Sequence, residues 1–241
     1  MNTATPAPLR LLVHGASGRM GQALLRLSAE MPVAFTVVAA VSRKPAQRVI
    51  DGVPQFAASE LGGAPAFDVA VDFSLPEAFD RLLALCLERG TALVSGTTGL
   101  ADAQRAALQA AGTRIPLLWA SNFSLGVAVL ARLVEDAARA LPDWDCDIVE
   151  AHHARKQDAP SGTALLLGAA AEAGGARPRY ASLRAGDIIG EHTVQFTGMG
   201  ERIELVHRAG NRDIFARGAL HAAVRLSARG PGLYRLPDLL D

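Results

Sequence analysis

The chain has 241 residues, half of them hydrophobic, with 23 glycines and 5% aromatics; this suits an ordinary α/β protein of one large domain or two modest ones around a sizeable core. Its 24 basic and 24 acidic residues cancel to a formal net charge of zero, which excludes the broad basic footprint of a nucleic-acid or anionic-membrane binder and leaves a charged ligand to some local cluster. The two cysteines, Cys86 and Cys146, stand in apolar surroundings without paired spacing; with no secretory pattern in residues 1–8 and no long apolar run, the expectation is a reducing, cytoplasmic setting without disulfide, metal framework or membrane span.

From Leu9 onward, short apolar runs alternate with helix-like stretches. Leu9–His14, Phe35–Val41, Phe67–Phe73, Thr91–Val94 and Ile115–Trp119 read as strands, and helices fit over Gly18–Glu30, Pro76–Arg89 and Ala101–Ala111. Such alternation predicts a parallel, doubly wound sheet. Beyond Asn122 the rhythm changes to a helix over Leu125–Ala140, a strand over Asp145–Ala151, a polar loop and a helix over Ala164–Ala173. A hairpin then follows from His192–Phe196 and Arg202–His207 around Gly198–Glu201. A Gly/Arg-rich patch runs from Gly174 to Arg184, and the tail from Asp213 returns to helix. The second unit therefore reads as α+β.

Between the first strand and the first helix lies Gly15-Ala16-Ser17-Gly18-Arg19-Met20-Gly21, a G-x-x-G-x-x-G loop in the context of a dinucleotide fingerprint. Glycines there let backbone approach a pyrophosphate, whose charge falls on unpaired N–H groups at the helix start. An ordinary glycine turn is the plainer alternative. Where a site for NAD offers a carboxylate to the ribose, at the end of the second strand, this chain has Ser42-Arg43-Lys44. Two cations suit a ribose phosphate, so NADPH is the expected cofactor with NADH possible; a solvated basic turn is the alternative.

The densest chemistry runs from Glu150 to Thr163, Glu-Ala-His-His-Ala-Arg-Lys-Gln-Asp-Ala-Pro-Ser-Gly-Thr. Two of six histidines and one of two lysines fall in it, while the chain carries 22 arginines. Where almost every cation is Arg, a retained Lys156 suggests a proton role, because Arg does not deprotonate at working pH. Adjacent His152 and His153 with Lys156 supply a titratable acid, a second polar ligand and a cation, and Ser161-Gly162-Thr163 opens a helix whose N–H groups suit a carboxylate. Each residue alone could be a solvated charge or a core histidine. Zinc would need a third ligand in convincing spacing, and none stands nearby.

At these residues the sequence resembles the dihydrodipicolinate reductase family, whose signature contains Glu-Ala-His-His, a nearby Lys and Asp-Ala-Pro-Ser-Gly-Thr. The likeness extends in order through Gly15–Gly21, Ser95–Gly99, Ser121–Ser124, Gly186-Asp187, Gly190–His192 and Gly200–Arg202. It implies a Rossmann-like dinucleotide domain over residues 1–123 and 213–241, a smaller α+β substrate and oligomerisation domain over 124–212, and a homotetramer. It further implies hydride transfer from NAD(P)H to a cyclic imine dicarboxylate of lysine and diaminopimelate biosynthesis. By the same resemblance His152 is the proton donor and acceptor, Lys156 a proton donor, and His153, Gly162 and Thr163 hold substrate. Gly96, Thr97, Thr98 and the loop Ala120, Ser121, Asn122, Phe123 would hold the nicotinamide end. A hydride added to a conjugated imine leaves an enamine that needs a proton on carbon, which a nearby acid supplies. The chain departs from the family pattern at Ser42, where an acidic residue is frequent, and in a shortened segment between Tyr180 and Ile188. Competing readings are another small-substrate dehydrogenase such as an aspartate dehydrogenase, and a non-catalytic NADP-binding sensor.

Overall fold

A computed structural model describes residues 7–240; residues 1–6, on which the reading of a missing leader partly rests, lie outside it. In chain order the elements are β1 (Leu9–His14), α1 (Arg19–Ala29), β2 (Phe35–Ser42), β3 (Val49–Ile50), β4 (Val53–Ala57), β5 (Val69–Asp72), α2 (Pro76–Arg89), β6 (Ala92–Ser95), α3 (Asp102–Gly112) and β7 (Pro116–Trp119). There follow α4 (Leu125–Ala140), β8 (Asp145–His152), α5 (Gly162–Ala173), β9 (Pro178–Arg184), β10 (Glu191–Thr197), β11 (Arg202–Arg208), α6 (Asp213–Ser227) and β12 (Gly232–Tyr234). They form two compact units, one from the chain up to Phe123 joined by Phe215 onward, the other from Ser124–Ile214.

The first unit holds an eight-stranded sheet in the order β12-β7-β6-β5-β1-β2-β4-β3. All its pairings are parallel except β3 with β4. Every residue of β5 and β6 is buried, as a parallel sheet covered on both faces requires. The α2 helix begins with Pro76 in its first turn and stops at Gly90, whose φ of 65° lies in the left-handed region. Its Phe79, Leu82 and Cys86 pack on Leu12, Leu93 and Leu117. The strand order reverses at β1, flanked by β2 and β5, so the crevice beyond the carboxyl ends of β1 and β5 is where a doubly wound sheet takes its ligand.

The second unit is a four-stranded sheet, β11-β10-β8-β9, parallel only between β8 and β9. One face packs Cys146, Ile148, Val194 and Phe196 against Leu130 and Val134 of α4 and Leu167 and Ala171 of α5. Serines start both helices: the hydroxyl of Ser124 accepts the N–H of Val127, and that of Ser161 accepts the N–H of Ala164.

The α/β class and most elements follow the periodicity of the sequence. Three stretches differ. The Gly/Arg-rich patch contains a seven-residue strand, β9, because backbone pairing to β8 outweighs its polar, largely exposed side chains. The tail after Asp213 is not helical throughout, since Gly232–Tyr234 pairs in parallel with β7. Between β2 and β5 the chain also makes the β3–β4 hairpin, whose strands are too short to leave a period.

Candidate active site

The glycine loop closes tightly on the end of β1. Gly15 has a φ of 79°, and a Cβ there would stand 2.5 Å from the Phe73 carbonyl oxygen; at Gly21 a Cβ would collide with the Gly15 carbonyl. Loop and helix can approach one another only with these glycines. The N–H groups of Gly15 and Ala16 donate to Val41 at 3.0 and 2.9 Å, and that of Gly18 to the Gly15 carbonyl. The anion-binding capacity therefore rests on exposed Ser17 and on Arg19 and Met20 at the start of α1, a turn with neither side-chain cap nor acidic residue. Beside the loop opens a cavity of 710 Å³, walled by His14, Ser17, Ser42, Arg43, Lys44 and Arg81 among others. That volume is ample for a nucleotide. Ser42 is buried, whereas Arg43 and Lys44 are exposed.

A buried carboxylate locks the strand ends around this crevice. Asp72 accepts His14 Nδ1 at 2.8 Å, the Ser95 and Thr97 hydroxyls at 2.8 Å each and the Ser74 N–H at 3.1 Å. Burial alone would push Asp72 up, but the bonds from His14, Ser74 and Thr97 outweigh it and hold the carboxyl below the usual range. Thr97 thus spends its hydroxyl inward, and its carbonyl takes the Trp119 indole N–H at 2.8 Å. Gly96 stands against the Phe73 ring with no room for a Cβ, while Thr98 is exposed. Along the next loop Ser121 is exposed, Ala120 and Asn122 are half-buried, and Phe123 is buried edge-on to Phe73 with ring centroids 5.4 Å apart. All the residues expected around the cofactor lie in the first unit.

The second unit gathers the histidines by strand alternation. In β8 the period of two turns Glu150 and His152 to the helix-covered face with Ile148. Register sets His192 opposite Glu150 across β10, and Arg184 beside His152 across β9. His152 Nδ1 lies 2.5 Å from Glu150 Oε2. Arg184 donates to both Glu150 oxygens at 2.9 and 2.7 Å, and the Ser161 N–H adds a contact at 3.3 Å. The Ser161 hydroxyl meets His192 Nε2 at 3.1 Å, and the His152 and His192 rings stand edge to face at 5.2 Å. After His152 the chain turns, Lys156 N–H donating to the His153 carbonyl at 3.1 Å. The Lys156 ammonium grips the Asp158 carboxylate at 2.8 and 2.9 Å. His153 is half-buried with its Nδ1 lacking a partner among the described residues, and burial, then Arg155 and Arg212, lower its pKa. Gly162 and Thr163 open α5, Gly162 exposed and Thr163 half-buried.

The sequence reading did not name Glu150, Arg184, His192 or the His14–Asp72 pair among the site residues. Glu150 carried a usable signal in its place two residues before His152 in a strand, and His192 in the Gly190–His192 motif. No cluster of metal-ligating side chains forms among the described residues.

Two buried groups make the second unit acid-sensitive. Burial, then the nearby His152, lower His192 from 6.5 to about 4, so it folds neutral while the unfolded chain takes up a proton below pH 6.5. Burial would raise Glu150, but Arg184, Ser182 and His152 together hold it at about 2 against 4.5. Stability should therefore fall first between pH 6.5 and 4, through His192, and again between 4.5 and 2, through Glu150, by about 3 kcal/mol each. Denaturant titrations of wild type and His192→Asn across this range test it. The variant should lose the upper step and keep the lower; an unchanged upper step would assign it elsewhere.

Family models cover both units. The model for the dihydrodipicolinate reductase N-terminus matches residues 9–123, and that for the C-terminus matches residues 126–240. The chain belongs to the dihydrodipicolinate reductase family. A 4-hydroxy-tetrahydrodipicolinate reductase of Stenotrophomonas maltophilia (strain R551-3) is 75% identical over 97% of this chain and 98% of its own length. That of Xylella fastidiosa (strain M23) is 65% identical over 96% and 98%. Among solved structures, a dipicolinate-bound dihydrodipicolinate reductase from Paenisporosarcina sp. TG-14 superposes with a TM-score of 0.79 at 23% identity, over 95% of this chain and 97% of that one, a likeness of fold. As a dihydrodipicolinate reductase the chain is an NAD(P)H-dependent oxidoreductase, and the aspartate dehydrogenase and sensor readings fall away. No helix of the described residues is long and apolar enough to cross a membrane.

Proposed function

We propose that the chain reduces 4-hydroxy-tetrahydrodipicolinate, a cyclic imine dicarboxylate, to tetrahydrodipicolinate, with NADPH preferred and NADH accepted. The observation that carries this reading is the buried Glu150–His152 pair beside the Lys156 loop and the open N-terminus of α5. The glycine cradle and its cavity fit a dinucleotide, with Gly15, Ala16 and Gly18 shaping the turn, Ser17, Arg19 and Met20 facing the pyrophosphate, and Gly96, Thr97, Thr98 and residues 120–123 bounding the nicotinamide. When bound, the reduced nicotinamide supplies a hydride. The protein supplies the rest: His152, its Nδ1 fixed by Glu150, presents Nε2 as the proton-bearing atom, and Lys156 provides a second proton donor and a cation. His153, with the N–H groups of Gly162 and Thr163, holds the carboxylates. The two cysteines stay out of this chemistry, burial pushing their thiols up to about 12 and 11.

NADPH preference rests on Ser42, Arg43 and Lys44. A carboxylate at the end of β2 would repel a 2′-phosphate; a hydroxyl followed by two exposed cations does not. Replacing both Arg43 and Lys44 by Ser should raise the KM for NADPH roughly tenfold or more and leave that for NADH nearly unchanged. Absorbance of the nicotinamide, followed with freshly generated substrate, tests activity and preference together. Wild-type protein that binds NADPH without consuming it would sink the reaction; equal changes for both cofactors would sink the phosphate contact. A cytoplasmic homotetramer completes the reading. It is supported by the free buried cysteines and by exposed Leu183 and Val206, which alternation in β9 and β11 sets on the sheet face away from the helices.

A further inference from the structure

Arg184 sits at the end of β9, in the stretch that composition marks only as a Gly/Arg-rich patch. Its side chain is 19% exposed, and it touches both halves of the catalytic apparatus. Nη1 and Nη2 hold the two oxygens of Glu150, the carboxylate behind His152. Nη2 also donates to the Asp158 carbonyl at 2.6 Å, in the residue whose carboxylate grips Lys156. One planar guanidinium thus fixes the orienting partner of His152 and the backbone of the orienting partner of Lys156. A lysine could meet one of these oxygens but not the fork of two plus a carbonyl.

We propose that Arg184 is a positioning residue for the reduction, aligning His152 through Glu150 and Lys156 through Asp158. The inference rests on reading His152 as the proton donor. Two consequences follow from the geometry. First, Glu150 accepts from His152 and Arg184 through the same Oε2, so Arg184 fixes the carboxylate plane and with it the rotamer of the imidazole. Second, the charge of Arg184 offsets that of Glu150. The charged and titratable groups set against His152 are Glu150 on its own strand, Arg184 on β9 and His192 on β10, with His153 next along the chain. Among them Arg184 is the cation bound directly to Glu150. Without it, the Glu150 carboxylate is left to His152 and the Ser161 N–H, free to turn out of the plane that aligns the imidazole.

The test is steady-state kinetics on Arg184→Lys and Arg184→Gln, with melting temperature and NADPH affinity measured on each and His152→Gln run alongside. Arg184→Lys should lower kcat roughly tenfold and Arg184→Gln roughly a hundredfold, with NADPH affinity unchanged. Wild-type kcat in folded variants would overturn the proposal, as would a loss of kcat that merely tracks losses in melting temperature and NADPH affinity. If Arg184→Gln does not fold, the lysine variant decides alone: wild-type kcat refutes, a selective loss of kcat supports. An active His152→Gln would instead refute the reading of His152 itself, whatever the arginine variants do.

Discussion

Replacing His152 by Gln is expected to lower kcat by roughly 10²–10⁴-fold while leaving NADPH binding intact. Glutamine keeps a side-chain N–H able to donate toward Glu150, so the carboxylate retains a neighbour at that oxygen as well as Arg184 and Ser161. What disappears is the titratable nitrogen. Glu150 holds His152 by Nδ1 and thereby leaves Nε2 as the nitrogen that would pass a proton on the proposed reading. The residues proposed to bind the cofactor all lie in the other compact unit, so fluorescence titration with NADPH should give the wild-type affinity. Turnover of His152→Gln within a few-fold of wild type would remove His152 from the chemistry and point to Lys156 as sole donor.

Lys156 gives the second large effect, and two substitutions separate its charge from its proton. Lys156→Met removes both and should lower kcat/KM by roughly 10²–10³-fold, combining weaker hold on an anionic substrate with a missing proton donor. Lys156→Arg keeps a cation that can still reach Asp158 but gives up no proton at working pH. It should recover most of the KM for the dicarboxylate and little of kcat. Recovery of kcat as well would make Lys156 a purely electrostatic ligand. This chain suits the test, since 22 of its 24 basic residues are already Arg and lysine at 156 stands out against them.

Much of this site could be read along the chain because its parts are local. The glycine loop is seven residues between a strand and a helix, and His152, His153, Lys156, Gly162 and Thr163 fall within twelve consecutive positions. Short-range patterns of this kind survive in a linear text. Arg184 does not, because its role depends on the parallel register of β8 with β9, which sets it beside His152 from 32 positions away. Its own segment gave no period, being a strand whose side chains are mostly exposed. The Asp72 hub was hidden for the same reason: His14, Asp72, Ser95 and Thr97 belong to three strands or their following loops, and only the sheet order makes them neighbours. Thr97 shows what a linear text leaves out about direction, since its hydroxyl turns into the core to Asp72 and only its backbone is left to face the crevice.

The first unit is assembled from two separated stretches, whereas the second, Ser124–Ile214, is one uninterrupted stretch between them. Synthesis from the amino end therefore finishes the histidine-bearing unit while the nucleotide-bearing one still lacks α6 and β12. The β7 edge waits for β12 to pair with it, and the Phe123 carbonyl waits for Gly218, where any Cβ would intrude. A ribosome that stops near residue 213 would release a chain with the histidine-bearing unit in place and the eight-stranded sheet open along one edge, a form exposed to aggregation and proteolysis. Premature stop codons late in the gene should thus abolish the enzyme through its nucleotide unit, even though they leave every residue from His152 to Thr163 untouched.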